Sequence, residues 1–174
     1  MAKAQECPIA DPHRGRAVFA EHLPRVLAGR TLEECRWSVA GPLCLFVPVC
    51  AGPEGADDYL LRLGFEYYPT WPPTAHFVNP QTLSFDGARD LYWLPRVEGD
   101  SGFAVHQVYQ HSNYSGQLVC CSFTAEFYLI LHSVNSEHLW DSERHTFGAT
   151  ISRVHQALRS PFYKGRFDPN KPEG

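Results

Sequence analysis

Two adjacent cysteines, Cys120 and Cys121, are followed along the chain by Glu126, His132 and His138. Thiolate, carboxylate and imidazole could together hold a zinc ion, since all three donate to that metal. The same residue types could equally build a nucleophile, with a histidine lowering the thiol pKa or taking its proton and Glu126 orienting the imidazole. The residues alone leave that choice open. Each also has a plainer reading. A cysteine beside Val119 in an extended run packs as a small apolar residue. His132 closes the apolar stretch Leu129–Leu131 as a hydrogen-bonded structural residue, and Glu126 between Ala125 and Phe127 marks a solvated face. No C-x-x-C occurs, and neighbouring cysteines are poorly placed to bridge each other, so the six cysteines read as thiols. Cys7, Cys35, Cys44 and Cys50 are assigned to packing or to loose positions, and His13, His22, His76, His106, His145 and His155 receive no role.

The elements that must position these residues belong to one domain. The chain has 174 residues, 44% of them apolar, which suits a single packed core. Fifteen Lys and Arg stand against 19 Asp and Glu, for a net charge of -4, with no basic run able to neutralise a phosphate backbone. Nucleic acid is therefore not an expected partner. The longest apolar run, Leu43–Val49, contains Pro48 and falls far short of the roughly 20 residues that span a bilayer, so no membrane partner is expected either. The first residues lack the apolar core of a secretory leader, which implies a cytoplasmic protein. The expected organisation is a single domain over 1–174, with 1–10 and 161–174 loose. There is no internal repeat.

Asp11 followed by Pro12 is a helix start, and Val18, Phe19, Leu23, Val26 and Leu27 continue it at helical spacing towards Gly29, with a kink or break expected at Pro24. Short apolar runs follow at Trp37–Val39, Leu43–Val49, Tyr59–Tyr67 and Ala75–Val78, separated by turn residues, and read as an antiparallel meander. Pro48 predicts an interrupted or edge position for the second of these strands. Gln81–Asp100 reads as a long loop. Phe103–Tyr109 and Gln117–Ser122 look extended, and Thr124–Leu131 fits helix or strand equally. Phe147, Ile151, Val154 and Leu158 predict an amphipathic helix over Phe147–Arg159. Trp71, Tyr68 and Trp93 could form an aromatic surface patch, although core filling suits at least two of them better.

The segment Tyr67-Tyr68-Pro69-Thr70-Trp71-Pro72-Pro73 leaves one strand, turns on prolines and re-enters another. A YP-x-x-PP turn in that context, behind an N-terminal helix and a meander, resembles the ubiquitin-conjugating (E2) family. His111-Ser112-Asn113, Gly116 and Leu118-Val119-Cys120 resemble the family's H-P-N, glycine and I-C-L stretch, and Trp140 with Thr150-Ile151 resembles its W-x-P and T-I helix. The likeness spans most of Asp11 to Leu158. Ser112 replaces the family's proline, and there are extra stretches between Pro80 and His106 and between the cysteine pair and Trp140. The chain is most similar to bacterial E2-like proteins encoded beside ubiquitin-like, E1-like and deubiquitinase-like genes.

This resemblance implies an α+β fold of ubiquitin-conjugating (UBC) type, with an N-terminal helix, an antiparallel four-stranded meander and a C-terminal helix. It implies an enzyme that accepts a ubiquitin-like protein from an E1-like activating enzyme as a cysteine thioester and passes it to a target protein, in a bacterial conjugation pathway of the antiphage defence kind, with no cofactor. The implied catalytic set is Cys120 or Cys121, with Glu126, His132, His138, His111 and Asn113. Cys120 is preferred for its apolar neighbours, and Asn113 would donate a hydrogen bond to the oxyanion. An overlapping resemblance, to a small bacterial group defined by one Cys, one Glu and two His, implies instead a zinc-binding accessory or hydrolytic protein. An inactive E2-like binding module is the third reading.

Overall fold

The computed structural model describes residues 6–132 and 139–171. It is a mixed α+β protein. Helix α1 (Pro12–Leu27) begins where the Asp11 carboxylate accepts the Arg14 N–H at 3.1 Å. It runs through Pro24 without the expected break and ends at Ala28 and Gly29, both in the left-handed region.

Four strands then form the antiparallel meander in chain order: β1 (Ser38–Val39), β2 (Cys44–Ala51), β3 (Asp57–Gly64) and β4 (Thr74–Val78). β1 pairs only with Leu45 and Phe46, so β2 is an open edge beyond it, and Pro48 sits where the ladder lacks a second neighbour. Strand alternation fixes the faces. Leu45, Val47, Leu61, Leu63, Ala75 and Phe77 all belong to the buried core. The residues one out of phase, among them Arg62 and its cross-strand partner His76, leave on the opposite face.

The core side is covered by α1 and by α3 (Phe147–Arg159), which has the bounds expected from its spacing. Tyr68, from the proline turn between β3 and β4, joins the two helices. It is 1% exposed, its hydroxyl meets His22 Nδ1 of α1 at 2.5 Å, and it accepts the first N–H of α3, from Phe147, at 3.2 Å. The turn tyrosine is therefore a core residue and not part of a surface patch.

Between β4 and α3 lie β5 (Pro95–Val97), β6 (Ala104–His111), β7 (Tyr114–Cys120) and the short helix α2 (Ala125–Leu129). β6 and β7 form an antiparallel hairpin. The expected loop at Gln81–Asp100 is thus corrected: it contains a 3₁₀ turn at Leu91–Trp93 as well as β5. The loose tail expected from Pro161 is corrected too, because β8 (Tyr163–Arg166) pairs antiparallel with β5. Composition hid this, since the anchoring comes from one long-range side chain. The Arg166 guanidinium lies 4.1 Å from the Tyr92 ring centroid and 4.7 Å from that of Tyr59, pairs with Asp57 at 3.1 Å and donates to the Tyr92 carbonyl at 2.8 Å. Arg166→Ala should destabilise the fold by about 2–4 kcal/mol, and Arg166→Lys should recover little because an ammonium cannot stack and fork in the same way. Thermal melts of the three proteins test this, and equal melting temperatures would remove Arg166 as the anchor.

Candidate functional site

β4 borders β3 on one side only, and its other side is closed by side chains from distant parts of the chain. The outward N–H of Ala75 is accepted by the Glu126 carboxylate at 3.1 and 3.3 Å, and that of Phe77 by the Gln117 side-chain oxygen at 2.7 Å. The Gln117 amide donates back to the Phe77 carbonyl at 2.9 Å, and the Asn79 N–H goes to the Ser84 carbonyl at 2.8 Å. Glu126 reaches this position because the chain turns sharply after β7. The Thr124 hydroxyl donates to the carbonyls of Val119 (2.7 Å) and Cys121 (2.9 Å), and the Ala125 N–H is held by Pro73 of the proline turn. The undecided segment Thr124–Leu131 is therefore helical over α2.

The expected solvated face at Glu126 is corrected: its side chain is 0% exposed. Burial pushes its carboxyl up to about 8, because hydrogen bonds from the backbone recover only part of the lost hydration. His76 Nε2 lies 3.3 Å from Glu126 Oε1 and 3.1 Å from the Tyr114 hydroxyl. Tyr114 in turn donates to the Gln117 carbonyl. With that hydrogen committed, the Tyr114 oxygen is left to accept, which assigns the imidazole hydrogen to Nε2 and leaves Nδ1 as the basic nitrogen. Burial, with the Arg62 charge across the strand, pushes His76 down to about 4, so the ring is neutral at neutral pH.

Cys120 and Cys121 have opposite surroundings. Val119 and Cys121 belong to the core, and Cys121 is 2% exposed, with burial pushing its thiol up to about 12. Cys120 is one residue out of phase, half-buried, at the end of β7. Burial first, and then the nearby Glu126 charge, push its thiol up to about 11. At neutral pH it is a thiol, and any attack must first remove a proton.

The other expected site residues are not gathered around this sulfur. His111 and Asn113 are exposed at the tip of the β6–β7 hairpin, where the Asn113 amide faces Cys7 Sγ at 3.8 Å. Cys120 pairs with Ala104 at the hairpin's other end. At a rise of about 3.3 Å per residue, Asn113 lies on the order of 20 Å from Cys120 along β7. The oxyanion role implied for Asn113 is corrected on that ground, and His111 falls with it. Reading H-x-N and the cysteine as one motif overlooked the strand β7 between them. His132 is exposed, with its ring stacked on Phe127 at 4.7 Å, and His138 lies outside the described residues. Among the described residues no group of three or more His, Cys, Asp or Glu is placed to hold a metal ion. Sequence reasoning missed His76, Tyr114 and Gln117. The signal available for His76 was its phase between core residues Ala75 and Phe77, but its partners come from 38 and 50 positions further along.

No described helix is long and apolar enough to cross a membrane. Comparisons with protein-family models, curated proteins and solved structures found no match to this chain.

Proposed function

We propose that the protein is an E2-like carrier of UBC type, in which Cys120 accepts the C-terminus of a ubiquitin-like protein from an E1-like enzyme as a thioester and hands it to a target protein. The supporting observation is the position of Cys120. It is the half-exposed member of the cysteine pair, at the end of a strand whose following turn rests on Pro73 of the YP-x-x-PP segment. The order of α1, four-stranded meander, proline turn, cysteine-bearing strand and α3 agrees with that reading. Cytoplasmic conjugation in bacteria, in a defence setting, follows from the same resemblance.

The chemistry is a thiol exchange. The Cys120 sulfur attacks the thioester carbonyl on the E1, the carbon–sulfur bond to the E1 cysteine breaks, and the E1 thiolate leaves with the proton that Cys120 gave up. Incubating the full chain with ATP, an E1-like enzyme and a ubiquitin-like protein should yield an adduct cleaved by excess thiol. Cys120→Ala should abolish that adduct and Cys121→Ala should retain it. An adduct carried by Cys121, or none on the wild-type protein, would overturn the proposal.

A further inference from the structure

The proline turn is tied to both long helices through one hydroxyl, and the hydrogens there can be counted. α3 starts after Thr146, whose side chain makes no capping bond. Its first N–H, from Phe147, goes instead to the Tyr68 hydroxyl oxygen at 3.2 Å. The hydroxyl hydrogen must then point the other way, where His22 Nδ1 of α1 stands at 2.5 Å. Nδ1 therefore accepts, the ring hydrogen sits on Nε2, and the imidazole is neutral. Tyr68 is 1% exposed and His22 8%, which leaves little room for water to replace either bond. A proton added to Nδ1 breaks the arrangement. The hydroxyl would face a donor on each side, the imidazolium and the Phe147 N–H, with no described acceptor for its own hydrogen. One of the two bonds must open. The charges bearing on the pair are Glu21 and Arg25, both on α1 and opposite in effect. α3 faces it with the Phe147 N–H, and from the segment before α3 Trp140 packs on Tyr68 at 6.1 Å and contacts His145 at 5.5 Å. Burial outweighs these charges and holds the His22 ring below the usual histidine range.

We propose that His22 and Tyr68 form an acid-released latch, which holds the proline turn and the first turn of α3 to α1 while the imidazole is neutral and lets go when it is protonated. The inference is independent of the carrier reading, because none of these atoms belongs to the Cys120 site. The latch is shut at neutral pH and opens as pH falls below 6.5, the ordinary histidine value. The segment it releases has further attachments. Pro69 of the same turn accepts the Trp140 indole N–H at 2.8 Å, and the Pro73 carbonyl holds the Ala125 N–H at the head of α2 at 3.1 Å.

Hydrogen exchange at the Phe147 amide of the full chain reads the latch, with the amides of β2 and β3 as the baseline for global opening. Protection at Phe147 relative to that baseline should fall in acid, by up to roughly tenfold per pH unit once the ring titrates. His22→Gln supplies an acceptor that does not titrate and should flatten the relative profile. His22→Phe supplies none and should leave Phe147 poorly protected at every pH. The nitrogen-15 spectrum of the wild-type ring serves if these variants do not fold: Nδ1 should be bare at about pH 7, and the Phe147 amide shift should move with the ring's titration. A wild-type Phe147 profile that tracks the β2 and β3 amides would overturn the latch. So would a His22→Gln profile with the wild-type pH dependence, or a hydrogen found on Nδ1 at neutral pH.

Discussion

Gly15→Ala should melt well below the wild-type protein, although alanine is the better helix former by about 1 kcal/mol. Gly15 is buried in the second turn of α1, and a Cβ added there would stand 1.9 Å from the Phe65 carbonyl oxygen and 3.0 Å from its carbon. That peptide cannot move aside cheaply. The Phe65 N–H is bonded to the Leu43 carbonyl at 3.0 Å, its own carbonyl receives Tyr68 at 3.3 Å, and the next carbonyl, of Glu66, receives Asp11 at 2.7 Å. α1 would have to lift, parting the Phe19–Phe65 stack, whose centroids lie 4.0 Å apart. Overpacking of this kind, against backbone rather than a flexible side chain, should cost about 3 kcal/mol or more and lower the melting temperature by roughly 6–12 °C. Calorimetry decides it, and a melting temperature at or above that of wild type would show that α1 is not seated on this peptide.

Glu126→Gln should change the pH dependence of stability more than any surface substitution. The folded carboxyl is raised to about 8, above its ordinary value near 4.5, so the native state holds a proton that the unfolded chain has lost. Stability from this group is full below about 4.5 and declines as pH rises through 8. His76 acts in the opposite sense: its folded value, near 4 against 6.5, makes stability rise between those limits. The two slopes offset each other up to about pH 6.5, and the loss from Glu126 stands alone above it. Urea titrations of the wild type should therefore show stability falling between about pH 6.5 and 8, and Glu126→Gln should abolish the fall, leaving the variant more stable at pH 9 by a few kcal/mol at about 1.4 kcal/mol per pH unit. Parallel curves for the two proteins would mean that the carboxyl carries no such strain. Above about pH 8, where Glu126 is ionised, the same substitution removes a charge that holds Cys120 as a thiol, so alkylation of Cys120 at about pH 9 should quicken.

The regular elements were legible wherever a local period was strong. The α3 spacing of Phe147, Ile151, Val154 and Leu158 and the alternation of Leu61 and Leu63 both record a face turned to the same core. β8 left no such trace. Its four residues are held by Arg166, whose partners Asp57, Tyr59 and Tyr92 lie 74 to 109 positions earlier, so tertiary contact decided what propensity could not. The site was legible by half. Cys120 and Glu126 were named from their types, but Glu126 was read as exposed because one carboxylate between Ala125 and Phe127 looks solvated until the turn at Thr124 is known. Asn113 was attached to the cysteine by motif order, and seven residues of extended chain carry it away. His76 shows no local signature at all, since its chemistry is created by Tyr114 and Glu126 arriving from other elements.

The closure of β4 by Glu126 and Gln117 also bears on how separate copies of the molecule meet. The main-chain groups at Ala75 and Phe77 that would template intermolecular strand addition are already occupied by side chains of the same polypeptide. A second copy approaching this border finds no vacant ladder to extend, which guards this edge of the sheet against strand addition, and Gln117→Ala would free the main-chain groups of Phe77 there.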